Sequence, residues 1–335
     1  EEISMGVINV ENIGKIYEYY KKGEGIKGSL KNLFHREKLY KEAVKEVSFN
    51  IDEGSIVGFI GLNGAGKTTT LKMLSGIIKP TSGKIDILGF DPFEKKDEFL
   101  RRITMVMGQK SQLWWDLPAY ETFELNRQIF DVGKENFNSI VNELSTSLNV
   151  ENLLDVQVRR LSLGERMKME FIAALIHSPS IIFLDEPTIG LDFFSQENIR
   201  LFLKAYNQKN KTTIILTSHN LEDIAYLCDY LIIIDKGKII YNDNYNNFIK
   251  QYSSNKVLTI KFKSGEKIKF DNNVIKEDDI INFMDNEVKI SVDESNLVSV
   301  TNYFFSNFQK GLQDIIIEGS DMKEIIKRIY SEEGK

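Results

Sequence analysis

Gly61, Gly66, Lys67 and Thr68 fill the fixed positions of the phosphate-binding pattern G-x-x-x-x-G-K-[ST] within Gly61-Leu62-Asn63-Gly64-Ala65-Gly66-Lys67-Thr68-Thr69. Glycine has no Cβ, so the loop backbone can turn through positive φ and wrap a phosphate with the N–H groups of Asn63, Gly64, Ala65, Gly66 and Thr69. Lys67 supplies a point charge for β- and γ-phosphates, and the Thr68 hydroxyl a ligand for Mg²⁺. A pair of acids, Asp185-Glu186, follows the apolar run Ile181-Ile182-Phe183-Leu184. At the end of a buried strand beside a phosphate loop, Asp185 would bind Mg²⁺ and Glu186 would polarise an attacking water. Gln109 and His219 also follow strand-like runs. Gln109 could sense the γ-phosphate, Mg²⁺ and that water, and His219 could hydrogen-bond the γ-phosphate. The chemistry open to this set is hydrolysis of a nucleoside triphosphate. The plain alternatives, a ligand-free glycine turn and two surface carboxylates, would each leave the other motif unexplained.

These residues need elements to hold them. Residues 55–60 read as a buried strand and 68–75 as a helix, so the glycine loop opens onto a helix N-terminus, which is an anion site. Residues 103–107, 180–184 and 213–217 are apolar strands, the last two unbroken as a buried parallel sheet requires. Residues 7–10 and 47–51 begin a β region. Between them lies Tyr17, either an aromatic packed on that sheet or a platform for adenine. Helical patterns cover 120–130, 137–148 and 165–176, and 231–234 with 237–240 reads as a hairpin. After a linker near 253–255 the pattern changes to alternating strands, a helix at 296–308, a strand at 314–318 and a last helix at 322–330. The expected fold is α/β, with an antiparallel β subdomain, a helical subdomain at about 110–165 and a small C-terminal α+β domain. One domain is placed at 6–252 and the other at 256–335.

The 335 residues include 42% hydrophobic ones, enough for packed cores, and carry a formal charge of −6. That charge argues against nucleic acid as a partner. One cysteine, Cys228, excludes an internal disulfide; it lies in an apolar helical pattern and reads as buried filler. No run approaches the ~20 apolar residues that span a bilayer, and no signal peptide is visible. Residues 21–42 stand apart, with seven Lys/Arg against three Glu. Ile26, Leu30, Leu33 and Phe34 share one helical face, so this insert reads as a basic amphipathic helix for anionic lipid or a membrane partner, or as a plain solvated helix.

Leu161-Ser162-Leu163-Gly164-Glu165 opens a helix and resembles the LSGGQ signature of the ATP-binding cassette (ABC) ATPases. Tyr17, the 61–69 loop, Gln109, 161–165, Asp185-Glu186, Gly190-Leu191-Asp192 and His219 follow that family's order of A-loop, Walker A, Q-loop, signature, Walker B, D-loop and H-loop. The resemblance covers roughly residues 6–245. It implies two ATPase subunits paired head to tail, with ATP and Mg²⁺ between the 61–69 loop of one and the signature of the other. Ser162 and Gly164 would touch the γ-phosphate, with Glu165 and Asp192 beside it. Tyr17 would stack adenine, Glu186 would act as base and His219 as its partner. Two residues depart from the signature: Leu163 replaces a glycine and Glu165 a glutamine. Leu163 is expected to adjust packing toward the partner.

Residues 107–118, 161–168 and 185–192 look like the group that serves ABC-2-type exporter permeases. Trp114 and Trp115 would lie near the groove that receives the permease, or in the subdomain core. The resemblance then implies a peripheral subunit on the cytoplasmic face of the plasma membrane, bound to a separate permease. Residues 21–42 also resemble an insert of polysaccharide-exporting ATPases, the nearest alternative. A soluble ABC ATPase without a membrane partner is a further one. One P-loop argues against the two-cassette ribosome-acting proteins, and the short helical insert against the coiled-coil repair ATPases.

Overall fold

The computed structural model describes residues 6–20, 38–252 and, with short breaks, 255–329. The chain divides into two compact units, the first ending at Asn244 and the second beginning at Tyr245. The sequence placed its domain boundary after 252, so the helix Tyr245–Tyr252 falls instead with the second unit.

Two sheets build the first unit. Strands β1 (Ile8–Tyr20), β2 (Lys38–Ile51) and β4 (Ser82–Ile87) form an antiparallel sheet in the order β2-β1-β4. The other sheet holds β3 (Ile56–Gly61), β5 (Ile103–Met107), β6 (Ile181–Asp185), β7 (Thr213–Thr217), β8 (Tyr230–Asp235) and β9 (Lys238–Asn244). Its order is β5-β6-β7-β3-β8-β9, parallel except for the edge strand β9. Side chains of both parities are buried on its central strands. Phe59, Ile181, Phe183 and Ile215 join one core with the antiparallel sheet, where the Phe49 and Phe59 rings lie 6.0 Å apart. Ile182, Leu184, Ile214 and Leu216 are fully buried on the other side. Burial on both faces accounts for the unbroken apolar runs in the sequence.

The helices of this unit are α1 (Lys67–Leu74), α2 (Ala119–Ile129), α3 (Lys134–Leu148), α4 (Leu163–Leu175), α5 (Phe193–Asn210) and α6 (Leu221–Leu227). Cys228, just after α6, is 5% exposed, and its Sγ fills the space where a Cβ on Gly58 would stand at 2.9 Å. Burial raises its thiol pKa well above the ordinary value.

The proposed basic helix at 21–42 lies, for residues 21–37, outside the described residues. Its last five residues are strand, not helix, because Lys38 to Glu42 pair antiparallel with Tyr20 to Ile16 of β1. Leu39 and Tyr40 suit a pleated ribbon.

In the second unit, helix α7 (Tyr245–Tyr252) precedes four antiparallel strands, β10 (Asn255–Phe262), β11 (Ile280–Met284), β12 (Glu287–Asp293) and β13 (Leu312–Gly319). Their order is β11-β12-β10-β13. Leu258, Ile260 and Phe262 alternate on one face with Val288, Ile290 and Val292, beneath Val300 and Phe304 of α8 (Leu297–Asn307). Met322, Ile325, Ile326 and Ile329 are helical and buried. Residues 267–269 of the expected strand near 267–270 lie outside the described residues, and β11 was not anticipated.

Candidate active site

Strand register assembles the site. Met107, Asp185, Thr217 and Phe59 stand in one row across β5, β6, β7 and β3. The residues that follow this row therefore leave the sheet at one carboxyl edge: Gly108-Gln109, Glu186, Ser218-His219 and, after Gly61, the glycine loop. Ligands of open α/β sheets bind at this edge.

The loop itself is built by close backbone approach. Gly64 and Gly66 have φ of 82° and 116°, in the left-handed region that a Cβ disfavours. A Cβ on Gly61 would meet the Ile234 carbonyl at 2.5 Å. Ala65 is buried, and Gly66 directly precedes α1, whose first residue is Lys67. The Lys67 Nζ donates to the carbonyls of Gly61 at 2.7 Å and Leu62 at 3.2 Å. Burial lowers its pKa, and Glu186 and Asp185 push in the opposite direction.

Thr68 and Asp185 meet although a strand separates β3 from β6. The Thr68 hydroxyl donates to Asp185 Oδ1 at 3.0 Å, and the Thr217 hydroxyl to the same oxygen at 2.8 Å. Two hard oxygen donors from two elements, beside a phosphate loop, fit the partial protein shell that Mg²⁺ takes when phosphates complete it. Among the described residues, no group of three or more His, Cys, Asp or Glu could hold a metal ion.

Glu186 adopts φ of 54°, and its N–H donates to the Thr217 carbonyl and hydroxyl, both at 3.1 Å. His219 Nε2 lies 2.7 Å from Glu186 Oε1, with the Glu186 side chain only 16% exposed. Behind them, buried Asp223 accepts from Thr188 at 2.5 Å and Ser218 at 2.8 Å and pairs with Arg200 at 3.4 Å. It thereby joins the loops that carry Glu186 and His219.

A cleft of about 220 Å³ is lined by Tyr17, Lys41, Glu186 and residues of the glycine loop and the start of α1, Asn63, Gly64 and Gly66 to Thr69. Tyr17 is half-buried, pairs across the strands with Lys41, and has the Lys15 ammonium 5.4 Å from its ring centroid. Gln109 is exposed and lines a separate hollow with Leu163, Arg166 and Glu170.

Ser162, Gly164 and Glu165 line neither this cleft nor the hollow at Gln109. Ser162 caps α4: its hydroxyl accepts from Glu165 N–H at 3.2 Å, and Glu165 Oε2 accepts from the Ser162 N–H and hydroxyl at 2.8 Å each. This is a capping box. Asp192 caps α5 without that reciprocity: its carboxylate accepts from the Ser195 N–H at 3.0 Å and hydroxyl at 2.6 Å, which hold it below the ordinary range. The two caps touch, since a Cβ on Gly164 would overlap Ser195 Oγ. Leu163, expected to pack toward a partner, lies against Gly190 of its own chain, where a Cβ would meet Leu163 Cδ2 at 3.3 Å.

Sequence reasoning missed Thr217, Asp223, Lys41 and Gly108. Thr217 is a polar residue closing an apolar strand, and Asp223 an acid in an apolar helix; both were available as signals. Gly108 is required by contact, because a Cβ there would overlap the Glu186 carbonyl. Gly108→Ala should therefore displace Glu186 and lower ATP turnover by about 10²-fold with nucleotide still bound, as steady-state hydrolysis and a binding titration would measure.

The sequence pattern of the ABC transporter family matches residues 44–189. The chain is 34% identical over 208 residues to the ABC transporter ATP-binding protein NatA of Bacillus subtilis, spanning 62% of this chain and 84% of NatA. It is 36% identical to the bacitracin transport ATP-binding protein BcrA of Bacillus licheniformis, over 60% of this chain and 64% of BcrA. Among solved structures it resembles the dimeric ATP-binding cassette MJ0796 bound to ADP and Pi. The TM-score is 0.58 at 25% identity, over 71% of this chain and 98% of that one.

Proposed function

The chain belongs to the ABC transporter ATPases, and from that premise we propose that it drives export through an ABC-2-type membrane permease by ATP-dependent closure of a head-to-tail pair. It is an ATP-binding and ATP-hydrolysing subunit of a transporter, and such subunits work in pairs with a transmembrane partner. No helix among the described residues is long and apolar enough to cross a membrane.

The observation that carries the reading is the division of one chain into two half-sites. The 61–69 loop, Thr68–Asp185 and Glu186–His219 gather at one sheet edge, whereas Ser162 and Gly164 sit at the start of α4 beside Asp192. An ATP on the loop of one copy would complete its contacts with the α4 N-terminus of a second copy. Tyr17 would stack the adenine, the loop N–H groups and Lys67 would hold the phosphates, and Thr68 and Asp185 would hold Mg²⁺, with Gln109 entering from its own hollow. A bound Mg²⁺ would supply charge neutralisation on the phosphates. Glu186 orients the water and takes its proton, with His219 fixing the carboxylate. Export and the ABC-2 type are supported by the kinship with NatA and BcrA, the latter named for bacitracin transport, and by the resemblance of 107–118. The subunit would then sit peripherally on the cytoplasmic face of the plasma membrane.

Ser162→Arg tests the half-site arrangement. The variant should bind ATP within about two-fold of the parent, fail to pair on ATP, and hydrolyse about 10²-fold more slowly. Light scattering and steady-state turnover measure these. Full turnover by this variant in the intact complex would overturn the arrangement.

A further inference from the structure

Glu170 lies on α4 two turns after Ser162 and is 3% exposed. Its Oε1 accepts from the Ser111 hydroxyl at 2.5 Å and the Gln112 N–H at 2.8 Å, with the Leu113 N–H at 3.4 Å. Burial raises the carboxyl pKa, against the pull of those donors and of Arg166. One turn earlier, the Arg166 guanidinium stands 5.1 Å from the Trp115 ring centroid. Two side chains one turn apart on α4 therefore hold both ends of residues 111–115, a stretch belonging to no helix or strand. It carries Trp114 and Trp115, the chain's only tryptophans, which are 49% and 52% exposed.

A carboxylate in an otherwise apolar helical face is costly unless it is hydrogen-bonded. Here the side chain's partners all come from outside its own helix. Three donors, the Ser111 hydroxyl and the N–H groups of Gln112 and Leu113, converge on one oxygen of Glu170, so a single side chain fixes this stretch.

We propose that Glu170 is a positioning residue: it tethers 111–115 to α4, so that a shift of the Ser162 end of the helix moves the Trp114–Trp115 surface with it. Glu170 stands eight residue steps beyond Ser162, about 12 Å of continuous rise. Met167, Met169, Phe171 and Ile172 are buried around it, so α4 moves as a packed body. The tether links the ATP-facing end of α4 to a surface remote from the cleft. This rests on the proposed pairing of Ser162 with the ATP of a second copy.

The test uses the full chain carrying Glu186→Gln, which should hold ATP and Mg²⁺ with turnover slowed about 10²–10⁴-fold, and acrylamide quenching of the two tryptophans. ATP should alter quenching in this parent. Glu170→Ala should pair on ATP and bind it with parental affinity, yet show an ATP-dependent change in quenching at least about five-fold smaller. Glu170→Gln should retain the change, because its amide oxygen still accepts from Ser111 and Gln112. Ser111→Ala, at an exposed position, removes one donor without threatening the fold and should give a partial loss; it carries the test should Glu170→Ala fail to fold. A residue that only stabilises the loop would shift quenching equally with and without ATP. A full ATP response in Glu170→Ala overturns the tether, as does a parent that pairs on ATP with no tryptophan response. A parent that fails to pair, which light scattering detects separately, overturns the head-to-tail reading and the tether with it.

Discussion

Replacing Glu186 by glutamine should lower ATP hydrolysis by about 10²–10⁴-fold while ATP stays bound, the range expected for loss of a positioned general base. The substitution keeps shape and removes only basicity. The single N–H of Glu186, shared between the Thr217 carbonyl and hydroxyl, holds its backbone in the left-handed region, and glutamine keeps that N–H. His219, 2.7 Å from the carboxylate, can still donate to an amide oxygen. Thr68, Asp185 and Lys67 are untouched, so affinity should hold and ATP should trap the pair. Single-turnover hydrolysis beside a binding titration separates the two effects. Turnover within ten-fold of the parent would remove Glu186 from the role of base.

Lys67→Ala should fail at the earlier step, with ATP affinity falling about 30- to 5 × 10³-fold, as expected when one partner of a buried charge pair is truncated at a cost of about 2–5 kcal/mol. The Lys67 ammonium is held over the Gly61 and Leu62 carbonyls, inside the loop that would meet the phosphates. Its charge is also felt by Glu186 and Asp185, so the alanine variant removes a cation beside two carboxylates and leaves their repulsion of the triphosphate less compensated. Equilibrium titration with a fluorescent ATP analogue checks it. The two variants should separate cleanly: one binds and does not turn over, the other does not bind.

Much of this site was legible because its residues obey local rules. The glycine loop needs positive φ, and the strands ending at Asp185 and Thr217 are buried on both faces, so each motif announced its element. Register was not legible. Only the pairing of Met107, Asp185, Thr217 and Phe59 brings four separate loops to one edge, and nothing local encodes it. The extension of β2 back to Lys38 was hidden by the basic amphipathic helical pattern read over 21–42, although β1 supplies the pairing. Strand β11 was missed because Ile280-Ile281-Asn282-Phe283-Met284 does not alternate; a bulge between Ile280 and Asn282 resets its faces. Ser162-x-x-Glu165 is a capping-box spacing, and that signal was there to be taken. Glu170 could have been found as an acid on the buried face of α4, but its partners at 111–113 are visible only in three dimensions.

Cys228 has a practical use. Packed over Gly58, with burial raising its thiol pKa, it should stay inert to maleimides in the folded chain. A cysteine introduced at any exposed position would then be the single attachment point for a spin label or fluorophore. The native sequence is in effect a background already cleared for measuring distances between two copies, with no residue to remove first.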